Sequence, residues 1–154
     1  MIKGRPPRLS HIFQSYGAPL FFVTACTLHR RRLPSLKAAH RALVLYGTRA
    51  MSEFNVAPGR YVIMPDHLHF FVRGDQSFVL GTWVKGLKRA ILEAFPGQSK
   101  ASFWQPGFFD HLLRNMKVNP QKWEYVRQNP VRAGLVKSAE DWPYQGELVY
   151  IDRA

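Results

Sequence analysis

The stretch from Arg60 to Arg73 constrains the fold more than any other part of this sequence. It holds two apolar runs, RYVIM and HLHFFVR, on either side of Pro65-Asp66. Proline is tolerated at a bulge, a turn or a sheet edge, but not inside a paired central strand. The pattern therefore predicts either a bent strand or a hairpin at this point of the chain.

Alternation in the second run separates two faces, because successive side chains of a strand point to opposite sides of the sheet. One face carries Leu68, Phe70 and Val72, and the other carries His67, His69 and Phe71. The first set can bury against helices. Two neutral imidazoles side by side are suitable ligands for Mn, Zn or a similar metal. A His-x-His pair is also common on a half-exposed polar face, so both interpretations stay open.

Other segments alternate between strand and helix patterns. Leu20–Leu28 is aromatic and β-branched, which predicts a strand. Leu36–Phe54 and Phe78–Phe95 carry apolar residues at spacings of three and four, which predicts two amphipathic helices. Pro58-Gly59 predicts a turn after the first of them. A short strand is expected over Phe108–Leu113.

A third helix is predicted from Asn119-Pro120 to about Gln128, with asparagine as the N-cap and proline at the first helical position. Asn129-Pro130 should strain or end this helix, because the proline ring clashes with the preceding turn. The segment from Lys137 onwards is polar and contains Trp142-Pro143-Tyr144.

Three helices and three to five strands in 154 residues predict an α+β fold. The simplest arrangement is a ferredoxin-like antiparallel sheet with helices packed on one face and the active site on the other. We expect a single domain over residues 1–154. Within it, residues 1–15 are expected to form a flexible basic arm, and residues 137–154 a C-terminal tail.

The charge balance indicates a polyanionic partner. The chain has 22 Lys plus Arg against 10 Asp plus Glu, a net charge of +12. Such an excess attracts nucleic acid first and an anionic membrane surface second. No apolar run approaches the roughly 20 residues of a membrane span, so no membrane association is expected. Cys26 is the single cysteine, which excludes an internal disulfide and predicts a reducing, cytoplasmic location.

Tyr125 and Asn129 lie four residues apart on the predicted third helix, and such residues share one face about 6 Å apart. If that face covers the open side of the sheet, the Asn129 carbonyl oxygen can become a third metal ligand. The Tyr125 hydroxyl can then attack a metal-bound phosphate. Tyrosine on an amphipathic helix is also an ordinary core residue.

Five motifs occur in one order along the chain. They are Phe22-Val23-Thr24, Met64-Pro65-Asp66-His67-Leu68-His69, the segment WQPGFFDH from Trp104 to His111, the segment YVRQNPVRAGLV from Tyr125 to Val136, and Trp142-Pro143-Tyr144. In this order and spacing, the chain from about Leu20 to Tyr144 resembles the IS200-like single-tyrosine (HUH) transposases. The likeness is to the branch associated with repetitive extragenic palindromes.

The resemblance implies a single-stranded DNA transesterase that cleaves and rejoins DNA at hairpin repeats. It implies that Tyr125 is the nucleophile, that the intermediate is a 5′-phosphotyrosine, and that His67, His69 and Asn129 hold a divalent metal, Mg²⁺ or Mn²⁺. The partner would be single-stranded hairpin DNA, bound by a monomer or a homodimer. Two alternatives stay open, a non-catalytic hairpin nucleic-acid-binding protein and a water-using metal-dependent nuclease.

Basic side chains supply candidate DNA contacts in two groups. Lys85, Lys88 and Arg89 project from the second helix, where they can follow a phosphate backbone or form an ordinary solvated face. The other candidates surround the third helix and its approach, namely Arg114, Lys117, Arg127 and Arg132. Of these, Lys117, Arg127 and Arg132 are better placed for the substrate because they flank the tyrosine helix.

Overall fold

A computed structural model describes residues 19–113 and 120–150. Within them, the strands are β1 (Leu20–Cys26), β2 (Val56–Met64), β3 (His67–Gly74), β4 (Phe109–Leu113) and β5 (Gln145–Glu147). The α-helices are α1 (Leu36–Glu53), α2 (Leu80–Glu93), α3 (Lys100–Phe103), α4 (Pro120–Arg127) and α5 (Asn129–Arg132). Short 3-10 turns lie at Leu28–Arg30 and Ala139–Asp141. The expected arm over residues 1–15 lies outside the described residues, as do Asn119, Arg114 and Lys117.

The strands form one antiparallel sheet in the order β4-β1-β3-β2-β5. The chain order β1-α1-β2-β3-α2-β4, with β1 and β3 in the middle of the first four strands, is the ferredoxin-like arrangement. β5 adds a fifth strand at the free edge of β2. The predicted α+β class and antiparallel sheet are confirmed.

The stretch from Arg60 to Arg73 forms a hairpin, not a bent strand. β2 and β3 pair from Val56 opposite Gly74 to Met64 opposite His67, so Pro65 and Asp66 make the two-residue connection. The turn predicted at Pro58-Gly59 is wrong. Both residues lie inside β2, where the register shifts between Pro58 and Tyr61, and such an irregularity is a place where a sheet accepts proline.

One face of the sheet, called here the helix face, packs against α1 and α2. Leu68, Phe70 and Val72 belong to this core, as their alternation predicted. The Phe70 ring lies 5.6 Å from the Trp83 ring of α2, measured between centroids. Burial of these apolar side chains provides the main stabilisation of the fold.

Residues 137–150, which were expected to belong to a C-terminal tail, pack against the rest of the domain. Leu148 and Val149 are buried in the core of the helix face. The Trp142 indole N–H donates a hydrogen bond to the Ile63 carbonyl oxygen of β2, at 3.0 Å. Residues 137–150 therefore belong to the folded body.

The opposite face, called here the site face, is covered in part by α4. Val126 of α4 packs with Val62, Met64 and Trp142. The Trp123 ring of the same helix lies 6.2 Å from the Phe71 ring of β3. The expectation of helices on one face thus holds for α1 and α2, and α4 lies over the face that carries the histidines.

Candidate functional site

The helix that carries Tyr125 breaks where its sequence predicts. α4 ends at Arg127, and Pro130 falls in the first turn of α5, where its missing N–H removes no helical hydrogen bond. Gly134, with a φ of +75°, adopts the left-handed conformation that commonly follows a helix end. Tyr125 therefore lies in the last turn of α4, and Asn129 begins α5.

His67 and His69 lie side by side on the site face, with ring centroids 4.8 Å apart. The Nδ1 atom of His67 lies 2.7 Å from an Asp66 carboxylate oxygen, and Nδ1 of His69 lies 2.7 Å from the Thr24 hydroxyl. Thr24 is opposite His69 in the β1–β3 register. When Nδ1 is held in this way, Nε2 is the ring nitrogen that can bind a metal, in a fixed orientation.

Burial keeps both imidazoles neutral near pH 7. It lowers the pKa of His69 to about 3, with further lowering by the neighbouring His67 and by the positive charges of Arg30 and Arg132. Burial also lowers the pKa of His67, although the neighbouring Asp66 carboxylate opposes the shift. Neutral imidazoles carry the lone pair that metal binding requires.

Arg30 also contacts this site, and its backbone has an unusual conformation. His29 and Arg30 have φ values of 55° and 56°, in the left-handed region that non-glycine residues seldom adopt. The Arg30 Nε donates to Asp66 at 3.0 Å, and another guanidinium nitrogen lies 3.4 Å from Nδ1 of His67. Sequence reasoning did not select Arg30 or Asp66 as site residues. Two features of the sequence could have identified them: the basic run at residues 29–32, which contains Arg30, and the position of Asp66 directly before His67.

Asn129 and His67 line the same pocket, of about 420 Å³, although they come from separate elements. Three arginines also line this pocket, namely Arg30, Arg32 and Arg132. Two imidazoles and one amide oxygen suit a divalent cation, and three protein ligands leave coordination positions open for a substrate. Among the described residues, no group of three or more His, Cys, Asp or Glu side chains could hold a metal.

Tyr125 is connected to this pocket through Arg132. Its side chain is 67% exposed. The Arg132 guanidinium carbon lies 3.9 Å from the centroid of the Tyr125 ring, and one of its terminal nitrogens donates to Oδ1 of Asn129 at 2.9 Å. The structure thus brings together four predicted residues, with His67, Asn129 and Arg132 around the pocket and Tyr125 beside it.

The other predicted DNA contacts among the described residues lie outside this pocket. Arg127 pairs with Glu124 at 3.0 Å and with Glu140 at 3.6 Å. The Lys88 ammonium donates to the carbonyl oxygens of Gln105 and Gly107, which engages it inside the protein. Lys85 and Arg89 are exposed on α2, which packs on the helix face. A DNA-binding role for these residues stays a prediction, as it does for Arg114 and Lys117.

No helix in the described part of the chain is long and apolar enough to cross a membrane.

The chain is similar in sequence to two proteins that carry the same family name. The chain is 32% identical over 87 residues to the REP-associated tyrosine transposase of Escherichia coli K12. This match covers 54% of this chain and 50% of that protein. The chain is 27% identical over 96 residues to a Haemophilus influenzae protein that carries the same family name provisionally, with 53% of each chain covered. The chain thus spans about half the length of these two relatives. It matches no protein-family model.

A solved structure extends the likeness to nearly the whole fold. It is a REP-associated tyrosine transposase bound to a REP hairpin, with a TM-score of 0.62 and 20% identity. The match covers 94% of this chain and 82% of that protein. The structure thus defines an α+β domain with a histidine pair on the face opposite its main helices, and this fold is similar to that of the solved transposase. Within that class, the chain resembles the REP-associated tyrosine transposases, as its motifs indicated.

Proposed function

We propose that the protein is a transposase-like single-stranded DNA transesterase that cleaves and rejoins DNA at hairpin repeats. The observation that carries this proposal is the shared pocket of His67 and Asn129, which Arg132 connects to Tyr125. The resemblance to the REP-associated tyrosine transposases supports the class of reaction. A solved relative is bound to a REP hairpin, which supports hairpin DNA as the substrate.

The reaction exchanges one phosphate ester for another. The Tyr125 oxygen attacks a backbone phosphorus and forms a phosphotyrosine bond, while the bond from phosphorus to the 3′ oxygen breaks. The phenolic proton is released to water, and the leaving 3′ oxygen takes up a proton from water and becomes a 3′ hydroxyl. Because the ester bond energy is retained in the phosphotyrosine, a 3′ hydroxyl can reverse the attack and rejoin the strand without a high-energy cofactor.

The residues around the pocket would prepare this attack. His67, His69 and Asn129 would hold a divalent metal, Mg²⁺ or Mn²⁺, which when bound supplies charge stabilisation to the reacting phosphate. Asp66 and Thr24 orient the two imidazoles. Arg30 and Arg32 bring positive charge to the pocket wall, where it favours a phosphodiester.

The net charge of +12 predicts that DNA binding weakens steeply as salt rises. The physical reason is that each neutralised phosphate releases counterions, and this release is less favourable at high salt.

A covalent-adduct assay tests the proposal. Single-stranded hairpin DNA from repeats beside the gene, labelled at its 3′ end because that fragment stays on the tyrosine, is incubated with protein and Mn²⁺ or Mg²⁺, then denatured. We expect label to remain on the wild-type protein but not on Tyr125→Phe. Tyr46→Phe is a matched control because Tyr46 lies on α1 and donates to Trp83 on the helix face. It should form the adduct like the wild type.

Two outcomes would contradict the proposal and select an alternative. Cleavage that persists in Tyr125→Phe, with no adduct from either protein, would indicate a metal-dependent nuclease that uses water. Tight, saturable hairpin binding without cleavage or adduct, in both metals, would indicate a non-catalytic binding protein.

A further inference from the structure

Arg132 contacts both residues of the tyrosine segment that the proposed chemistry requires. Its guanidinium lies 3.9 Å from the centroid of the Tyr125 ring and donates to Oδ1 of Asn129 at 2.9 Å. The three residues follow at intervals of four and three across the break between α4 and α5, so they fall on one side of the helical segment. One cation therefore joins the nucleophile to a metal ligand.

The Tyr125 ring needs such a contact to hold one orientation. Its side chain is 67% exposed, and the buried residue of α4 is its neighbour Val126. An exposed side chain samples several rotamers, and fixing one of them has an entropic cost. A guanidinium over the ring restricts the phenol, because the face of an aromatic ring attracts a cation.

Asn129 is oriented by the same group. A guanidinium has donors only, so the contact requires the oxygen end of the Asn129 amide to face Arg132. A carbonyl oxygen has two lone pairs, so Oδ1 can accept this hydrogen bond and still bind a metal. Arg132 and Asn129 line the same pocket as His67, so the amide is oriented within the pocket that this imidazole also lines.

We propose that Arg132 is a positioning residue that fixes the Tyr125 ring and the Asn129 amide relative to each other before DNA arrives. The proposal rests on the transesterase function above. It depends on the shape of arginine as well as its charge, because a planar guanidinium can stack on a ring and donate in its own plane at once. A lysine ammonium cannot make both contacts in this way.

Arg132→Lys tests this role because it keeps the positive charge and removes the planar group. Arg49→Lys is the matched control, since Arg49 is exposed on α1, pairs with Glu53 at 3.1 Å and lies remote from the pocket. Three quantities are measured: hairpin affinity, the rate of adduct formation at saturating DNA, and the ring signals of ¹³C-labelled tyrosine in the DNA-free protein. The Tyr125 signal is assigned as the one that Tyr125→Phe removes.

We expect Arg132→Lys to bind the hairpin within about threefold of the wild type, since charge governs phosphate attraction. The rate of adduct formation should fall roughly tenfold to a hundredfold, because a small misplacement of a reacting group has an effect of that size. The Tyr125 ring signal should shift. Arg49→Lys should change none of the three quantities.

Two results would overturn the role of Arg132. One is an adduct rate and a Tyr125 ring signal that both match the wild type. The other is a loss of affinity as large as the loss of rate, which would make Arg132 a DNA contact only. If the wild-type protein forms no adduct, the proposed function fails separately. The ring signal then still decides whether Arg132 holds Tyr125, because it is measured without DNA.

Discussion

Leu68 and His69 are neighbours in β3, yet they belong to faces of the sheet that are built differently. Leu68 is 1% exposed in a core formed with α1 and α2. His69 packs against the Phe22 ring at 5.4 Å and is held by the Thr24 hydroxyl. The helix face is apolar and stabilises the fold, whereas the site face uses the half-buried polar groups of Thr24 and Asp66 to orient two imidazoles. Neighbouring residues of one strand thus serve the stability of the fold and the proposed chemistry.

The largest expected effect tests that separation directly. Leu68→Ala removes a fully buried side chain and should lower the free energy of unfolding by about 2–5 kcal/mol. His69→Gln, one residue further on, should lower it by about 1 kcal/mol or less while abolishing adduct formation. Urea unfolding followed by circular dichroism measures the first quantity, and the adduct assay the second. Equal destabilisation by the two variants would show that both faces contribute equally to the stability of the fold.

A smaller effect concerns the Asp66 carboxylate beside His67, one of the proposed metal ligands. Asp66→Asn weakens the acceptor for Nδ1 of His67 and for Arg30, so the affinity for Mn²⁺ should fall about tenfold to a hundredfold. Titration followed by electron paramagnetic resonance measures this affinity. Asp75→Asn is the control, because Asp75 interacts with Ser77 and Asn55, away from the histidines. Unchanged affinity in Asp66→Asn would mean that His67 keeps its orientation without the carboxylate.

Two glycine substitutions examine how tightly the helix face is packed. A Cβ at Gly47 of α1 would collide with the buried Leu148 side chain and lie 3.2 Å from Pro58 Cγ, so Gly47→Ala should destabilise by about 1–3 kcal/mol. A Cβ at Gly81 of α2 would meet nothing within 4 Å. Gly81→Ala should therefore stabilise by up to about 1 kcal/mol. Thermal unfolding compares them, and a neutral Gly47→Ala would show that the C-terminal segment packs loosely.

The smallest effect is a pH dependence on the helix face. Burial lowers the pKa of His40, whose Nε2 lies 2.7 Å from the Tyr61 hydroxyl. The unfolded chain then takes up a proton more readily than the folded one. The stability that neutral His40 provides is therefore present above its unfolded pKa near 6.5 and is lost as pH falls below it.

Urea unfolding at pH 7.5 and pH 5.5 measures this contribution. His40→Gln should lose less stability over that interval than the wild type does, by about 1 kcal/mol at most. Identical losses in the two proteins would exclude His40 as a source of acid sensitivity. Because His67 and His69 are present in both proteins, their own titration does not affect the comparison.

The sequence predicted the features that follow from local geometry. The two-residue period of β3 separated Leu68 from His67 and His69 correctly, and Pro130 marked the break in the tyrosine helix. The turn predicted at Pro58-Gly59 failed because pairing along nine residues of β2 overrides a local turn signal. β5 was missed because its three residues carry no apolar alternation. Arg30 has a left-handed backbone conformation and binds Asp66, which lies 36 residues further along the chain. No local sequence pattern predicts a contact over that separation.

The position of β3 at the centre of the five-stranded sheet has a consequence for hydrogen exchange. The amides of His67 and His69 lie in a strand paired on both sides, so they should exchange only when the whole domain opens. The segment that carries Tyr125 and Asn129 is anchored through few side chains, among them Val126 and Pro130. It should open locally and exchange sooner. Tyr125, the proposed nucleophile, can therefore leave and return while the two imidazoles stay in place.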